Sequence, residues 1–310
     1  MKRAIKNRLK SVARQLFEKG QRLGIDILPH HFYSQIPDIA ELKRDTHWKA
    51  PSSMYGVQGT DIAGQLAFAT GCIPPGLTER FHRLDVHRTA IRENGEDGGY
   101  GPVEAAFLYG FILTHRPAKV VQVGCGVTTS IILRAAAEAG YRPRLVCVEP
   151  YPTPFLEKAH AEGRVILVKE KAQKTDLPTL TDLGPNDLFF VDSTHTVKPG
   201  SEVNRIILEV LPRLSKGVFV HFHDIYFPYD YKRDVLDGDL FFWAESTLLH
   251  AWLIHNNRCT IRACLSMIHY AAPEKLKKLI PAYTPQTNNE GLRGGSGQHF
   301  PSAIYLQNLE

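Results

Sequence analysis

VVQVGCGVTTS, spanning Val120 to Ser130, is the stretch whose reading decides the fold. An apolar run meets Gly124 and Gly126, and hydroxyl-bearing residues follow. Two glycines between a buried strand and a helix start let the backbone turn tightly and approach a ligand closely. That geometry suits a nucleotide-like cofactor, with a plain strand-to-helix connection as the alternative. The next apolar run, VCVEP, ends in Glu149, where a carboxylate can accept hydrogen bonds from both ribose hydroxyls. Thr129 stands where a dehydrogenase fingerprint has its third glycine, so glycine spacing does not identify the cofactor.

Outward from this turn the chain repeats one pattern. KVVQV, RLVCV, RVILV, DLFFV and GVFVHF are short apolar runs separated by helical segments near Thr128–Ala139, Thr153–Ala161 and Gly200–Leu211. Continuous apolar runs joined by crossover-length segments predict a parallel sheet buried on both faces. The expected fold class is α/β, a doubly wound Rossmann-like sheet of five parallel strands. Two closing strands, within CTIRACLSMIHY and PSAIYL, follow a long helix over Leu240–Asn256, with no helix expected between them. GLRGGSG, between those two strands, reads as a loop.

Before Gly95 the chain reads as helices broken by prolines, so residues 1–95 are expected to form a helical cap or extension and 96–310 the sheet domain. GEDGGYG is a flexible joint, and Pro102 suits the first turn of a helix running to His115. At the very start, Lys2, Arg3, Lys6, Arg8, Lys10 and Arg14 precede the first acidic residue, while Ile5, Leu9, Val12 and Leu16 recur at helical spacing. Such a helix fits peripheral contact with an anionic membrane. Docking on its own domain or on a second subunit, giving a homo-oligomer, is the blander alternative.

The 310 residues are 43% hydrophobic and 22% charged with a net charge of +5, which is ordinary for a globular chain and excludes general disorder. No apolar run reaches bilayer length, so no transmembrane segment is expected. With no secretory signal and five cysteines lacking a C-x-x-C pair, a cytoplasmic location follows. The basic excess is local and no recognition motif accompanies it, which argues against a nucleic-acid partner.

The fourth and fifth runs continue into FFVDSTHTVKPGSEVNR and VFVHFHDIYFPYDY. In a doubly wound sheet these strand ends point to one crevice, so Asp192, His195, His223 and Asp224 should converge. His221, two residues before His223, shares its strand face but sits deeper. A carboxylate from each strand plus an imidazole makes a divalent-metal set. Tyr226, Phe227, Tyr229 and Tyr231 are expected as an aromatic substrate wall, and Tyr100 as a residue closing over the cofactor.

From Leu23 onward the chain resembles a family of bacterial class I S-adenosylmethionine-dependent methyltransferases. The resemblance is marked by LPHHFYSQIPD, VVQVGCGVTTS, FFVDSTHTVKPGSEVN, VFVHFHDIYFPYDY and WAESTLLHAWLIHN. It is similar, more distantly, to metal-dependent sugar O-methyltransferases of macrolide biosynthesis. The resemblance implies that Gly124, Gly126, Thr128, Glu149 and, less directly, Gln173 hold S-adenosylmethionine. It also implies that Asp192 and Asp224 bind a metal and that His195 is the general base. His223 departs from the acidic doublet of those enzymes. As a ligand it leaves the metal open among Mg²⁺, Mn²⁺, Fe²⁺ and Zn²⁺.

The function expected is methylation of a small molecule or sugar-containing natural product, on oxygen, with metal assistance. Two rival classes keep the same glycine turn: a nicotinamide-dependent oxidoreductase, and a non-catalytic assembly subunit that retains the fold.

Overall fold

The structure, a computed structural model, describes residues 2–26, 28, 30–237, 240–285 and 300–310, with side chains from residue 12 onward. The chain forms two compact units, Met1–Trp48 and Lys49–Glu310.

The first unit holds α1 (Lys2–Arg22) and α2 (Ile39–Arg44). The basic, stripe-bearing segment is indeed helical, and Val12 and Leu16 of its apolar stripe are exposed. Ile5 and Leu9 lie outside the residues whose side chains are described. Within LPHHFYSQIPD, Phe32 is 94% and Tyr33 83% exposed, while Asp38 caps α2 by accepting the Glu41 N–H at 3.0 Å. Pro29 of that block lies outside the described residues.

The second unit begins with α3 (Ile62–Cys72), α4 (Pro75–Phe81) and α5 (Val86–Asn94), then α6 (Pro102–His115), which starts on the proline as its sequence requires. Next come β1 (Lys119–Val123), α7 (Val127–Glu138), β2 (Arg144–Val148), α8 (Pro154–Ala161), β3 (Ile166–Val168), α9 (Leu177–Thr181) and β4 (Leu188–Val191). A helix begins with α10 (Glu202–Arg205), loosens to π geometry at Ile206–Val210 and ends in a 3₁₀ turn at Leu211–Arg213. The remaining elements are β5 (Phe219–Phe222), α11 (Glu245–Leu253), β6 (Cys259–Cys264), α12 (Leu265–Ala271), α13 (Pro273–Leu279) and β7 (Ile304–Asn308).

The seven strands lie in the order β3-β2-β1-β4-β5-β7-β6. The first five pair in parallel, as the unbroken apolar runs require, and β7 runs antiparallel between β5 and β6. Alternate residues of each strand feed two separate cores. Val120, Leu145, Cys147, Leu188 and Phe190 pack on one face, among α6 and α7. Val121, Val123, Val146, Phe189, Val191 and Phe222 pack on the other, with Ile206, Val210 and Leu249. Strand order reverses between β1 and β4, which makes the carboxyl ends of those two strands the ligand crevice.

Two expectations fail here. The long helix over Leu240–Asn256 is only Glu245–Leu253. CTIRACLSMIHY is a strand only to Cys264 and then continues as α12, so α12 and α13 do stand between the closing strands. An apolar run of this length does not reveal its period from sequence. GLRGGSG lies outside the described residues.

Candidate active site

Gly124 has φ +79° and Gly126 φ +152°, both in the region that side chains disfavour. Gly124 leaves β1 directly against the Asp192 backbone, and a Cβ there would overlap the Asp192 carbonyl. The Gly126 turn lies against the side chain of Asn94, the last residue of α5. Asn94 is itself buried. It donates to the Glu96 carbonyl at 3.1 Å and accepts from Thr153 Oγ1 at 2.9 Å. Underneath, Gln122 donates to Thr128 Oγ1 and accepts from Thr129 Oγ1, pinning the first turn of α7. The Glu149 carboxylate accepts the Cys125 and Tyr151 N–H groups at 3.2 and 2.9 Å.

Asn94, Gly124, Gly126, Glu149 and Thr153 line one cleft with Tyr100, Thr128, Asp192 and Ser193. The sequence-derived set of Gly124, Gly126, Thr128, Glu149 and Tyr100 is therefore brought together. Gln173 is not among the residues lining this cleft, and its backbone carbonyl accepts from Arg205. Tyr100 is a wall of the cleft, only 1% exposed, its ring 4.8 Å from that of His223. Larger depressions elsewhere on the surface touch none of these groups.

Asp192 also belongs to a second constellation. His223 Nδ1 lies 3.3 Å from Asp192 Oδ1 and 3.8 Å from Asp224 Oδ2. His195 Nε2 lies 3.7 Å from Asp192 Oδ1 and 3.6 Å from Asp224 Oδ2. Single ligand-capable atoms of Asp192, His195 and His223 all fall within 4.8 Å of one another. His195 and Asp224 hold φ values of +57° and +56°. Each costs about 1–2 kcal/mol for a residue with a Cβ, and the surrounding contacts must hold them there.

Those contacts come from afar. Ser302, just before β7, donates its hydroxyl to Asp224 at 2.9 Å and its N–H to the buried Glu104 of α6 at 2.8 Å. Glu245, the first residue of α11, meets His195 Nδ1 at 2.8 Å. The indole of Trp243 lies 4.8 Å from the His195 ring and stacks on Phe241. Sequence reading missed Asn94, Glu104, Glu245, Ser302 and Trp243. The available signals were a lone carboxylate in the otherwise apolar α6 and the acidic residue inside WAEST. The expected aromatic wall is partly overturned, because Phe227 is fully buried in the core. His221 likewise stacks on Phe190 at 4.2 Å and is held neutral by burial.

Four carboxyl groups, Asp192, Asp224, Glu104 and Glu245, surround two imidazoles, so the cluster is acidic to the extent that the buried Glu104 and Glu245 are ionised. Burial raises the carboxyl pKa of Glu104 and of Glu245. It also pushes Asp224 upward, but His223 and His195 outweigh this and leave its pKa lowered. For His223, burial disfavours the imidazolium, yet Asp224 and Asp192 outweigh burial and hold the pKa at about 10.

A folded pKa above the unfolded value of about 6.5 stabilises fully below 6.5 and loses that contribution as pH rises through about 10. With chelator present, thermal stability should therefore fall across that window, by an amount on the order of a few kcal/mol. A melting temperature that stays flat from pH 6.5 to 10 in a thermal scan would contradict it.

Residues 121–225, from β1 through the Asp224 turn, match the family described as a methyltransferase domain. That stretch is similar to a methyltransferase domain. Both constellations lie within or against that segment. A curated relative from Archaeoglobus fulgidus, itself an uncharacterized protein, is 25% identical over 183 residues, covering 57% of this chain and 80% of the relative. Among solved structures, the SAH-bound Podospora anserina methyltransferase PaMTH1 is 16% identical, covering 77% of this chain and 89% of its own, with a TM-score of 0.41. Cofactor-bound Rv0187 from MTB is 15% identical over 72% of this chain and 88% of its own, with a TM-score of 0.43. No helix among the described residues is long and apolar enough to cross a membrane.

Proposed function

We propose that the methyltransferase domain uses S-adenosylmethionine to methylate a hydroxyl of a small molecule, with a divalent metal ion bound beside the cofactor and His195 as general base. One observation carries this reading: Asp192 lines the glycine-turn cleft and is also part of the acidic and imidazole cluster, so donor and acceptor sites share a wall.

Gly124 and Gly126 admit the cofactor close to the backbone, and Glu149, fixed by two N–H groups, keeps lone pairs for the ribose. The cofactor supplies the electrophilic methyl group. Asp192, His223 and Asp224 are the proposed metal ligands, since a carboxylate from each strand end beside an imidazole is a donor set that suits a dication. A divalent ion held there would lower the pKa of an acceptor hydroxyl. Mixed oxygen and nitrogen donors suit Mn²⁺, Fe²⁺ or Zn²⁺ as well as Mg²⁺.

His195 Nε2 takes the acceptor proton: the O–H bond breaks and an Nε2–H bond forms, and as the oxygen bonds to the methyl carbon the methyl–sulfur bond breaks, its electron pair leaving on the sulfur of S-adenosylhomocysteine. The resulting imidazolium is stabilised by Glu245, Asp224 and Asp192, which outweigh the desolvation of a buried ring and leave its pKa raised. Within the second unit, α5 acts as a cap in this reading, with Asn94 reaching the glycine turn.

Thermal-shift titration tests the cofactor against the nicotinamide alternative. S-adenosylhomocysteine at 100 times its dissociation constant should stabilise by about 2.7 kcal/mol, and NAD should not. Stabilisation by NAD alone would favour an oxidoreductase. Methyl-labelled cofactor incubated with extracts of the native host, with and without chelator, then finds the acceptor. Full labelling in excess chelator would remove the metal from the mechanism.

A further inference from the structure

His195 is fastened to α11 twice. Its backbone carbonyl accepts the Glu245 N–H at 3.2 Å, and its ring Nδ1 meets Glu245 Oε2 at 2.8 Å. Both side chains are buried, Glu245 to 1% exposure. An ionised carboxylate only accepts, so at alkaline pH, with Glu245 ionised, the nitrogen facing it carries the proton. The other carboxylate oxygen, Oε1, is buried with no hydrogen-bond partner among the described residues. An isolated carboxylate costs several kcal/mol to bury, so this group is retained for its one contact. Its place in the first turn of α11 adds favourable helix-dipole interaction, and the Trp243 indole lies against the His195 ring.

We propose that Glu245 is a positioning residue for His195. It fixes the tautomer with Nδ1 protonated and bonded to Glu245, and so presents the bare Nε2 toward Asp192 and Asp224. The proposal rests on the reading of His195 as a base for its catalytic consequence, but the tautomer itself does not. Without Glu245 the ring would be free to place its proton on Nε2, where two carboxylates would hold it and no lone pair would face the crevice.

The tautomer is directly observable. The full chain labelled with ¹⁵N-histidine is recorded at alkaline pH, and the His195 signals are assigned by their loss in His195→Gln. The expected wild-type spectrum shows Nδ1 protonated and Nε2 bare. Glu245→Leu should shift the pair to the Nε2-protonated or averaged pattern. Glu245→Gln should stay near wild type, because its amide oxygen still accepts from Nδ1. A purely structural role would give no such rescue.

An Nε2-protonated ring in the wild-type protein overturns the proposal even if Glu245→Leu does not fold. So does an unchanged tautomer in folded Glu245→Leu. With the acceptor found by methyl labelling, kcat should fall about tenfold or more in Glu245→Leu and less in Glu245→Gln, with KM unchanged. If His195→Ala keeps its turnover while the tautomer is as expected, the base reading fails and the positioning of His195 stands.

Discussion

Gly124→Ala should unfold the crevice. The position holds φ +79°, where a Cβ costs about 1–2 kcal/mol. The added carbon also overlaps the Asp192 backbone carbonyl, which no rotamer change can move aside. Nor can the backbone yield, since Asp192 N–H is bonded to the Val123 carbonyl at 2.9 Å and β1 is laddered to β4 through Val123 and Val191. The expected loss is about 3 kcal/mol or more of stability, together with the loss of stabilisation by S-adenosylhomocysteine, because Asp192 lines the cleft. Gly140→Ala is the internal control: its φ is +70° with open space around the added carbon, so it carries the backbone strain alone. Equal melting temperatures for the two variants, with ligand stabilisation intact in both, would show that the close approach at Gly124 does not matter.

His195→Ala should lower turnover by about 100- to 10,000-fold, the range of general base catalysis, while leaving the thermal shift with S-adenosylhomocysteine unchanged. The separation is expected because His195 is not among the residues lining the cleft and stands behind Asp192, which is. Removing the ring also leaves the buried Glu245 carboxylate unpaired, at about 1–3 kcal/mol or more. His195→Gln, which keeps a donor near that carboxylate, separates the stability loss from the catalytic one. Turnover like wild type in both variants at saturating acceptor would exclude His195 from the chemistry.

The glycine turn, Glu149 and the DSTH and HFHDI blocks were legible because each is local: a short apolar run ends, and the candidate site residue follows it at the strand end. Parallel strands then carry those ends to the same edge without further information. Asn94, Glu104, Glu245 and Ser302 were not legible for the opposite reason. Glu104 is one charge in a helix of apolar residues, Glu245 one acid opening another helix, and Ser302 one hydroxyl before a strand. Each pattern is common on ordinary surfaces. Gln173 was inferred from its place after the third strand, yet a loop side chain has no register to fix its direction. The segment after Cys264 was misread because an apolar run suits a buried helix as well as a buried strand.

Sequence alone determined the two-faced parallel sheet, the turn at Gly124 and Gly126, and the convergence of Asp192, His195, His223 and Asp224, since strand period and crossover geometry act within neighbouring residues. Tertiary structure alone decided what stands behind that cluster: Glu245 against His195, Ser302 against Asp224, and Glu104 buried nearby. Burial turns those distant side chains into strong partners, because a charge removed from water interacts with whatever the fold places beside it, and chain order does not encode that neighbour.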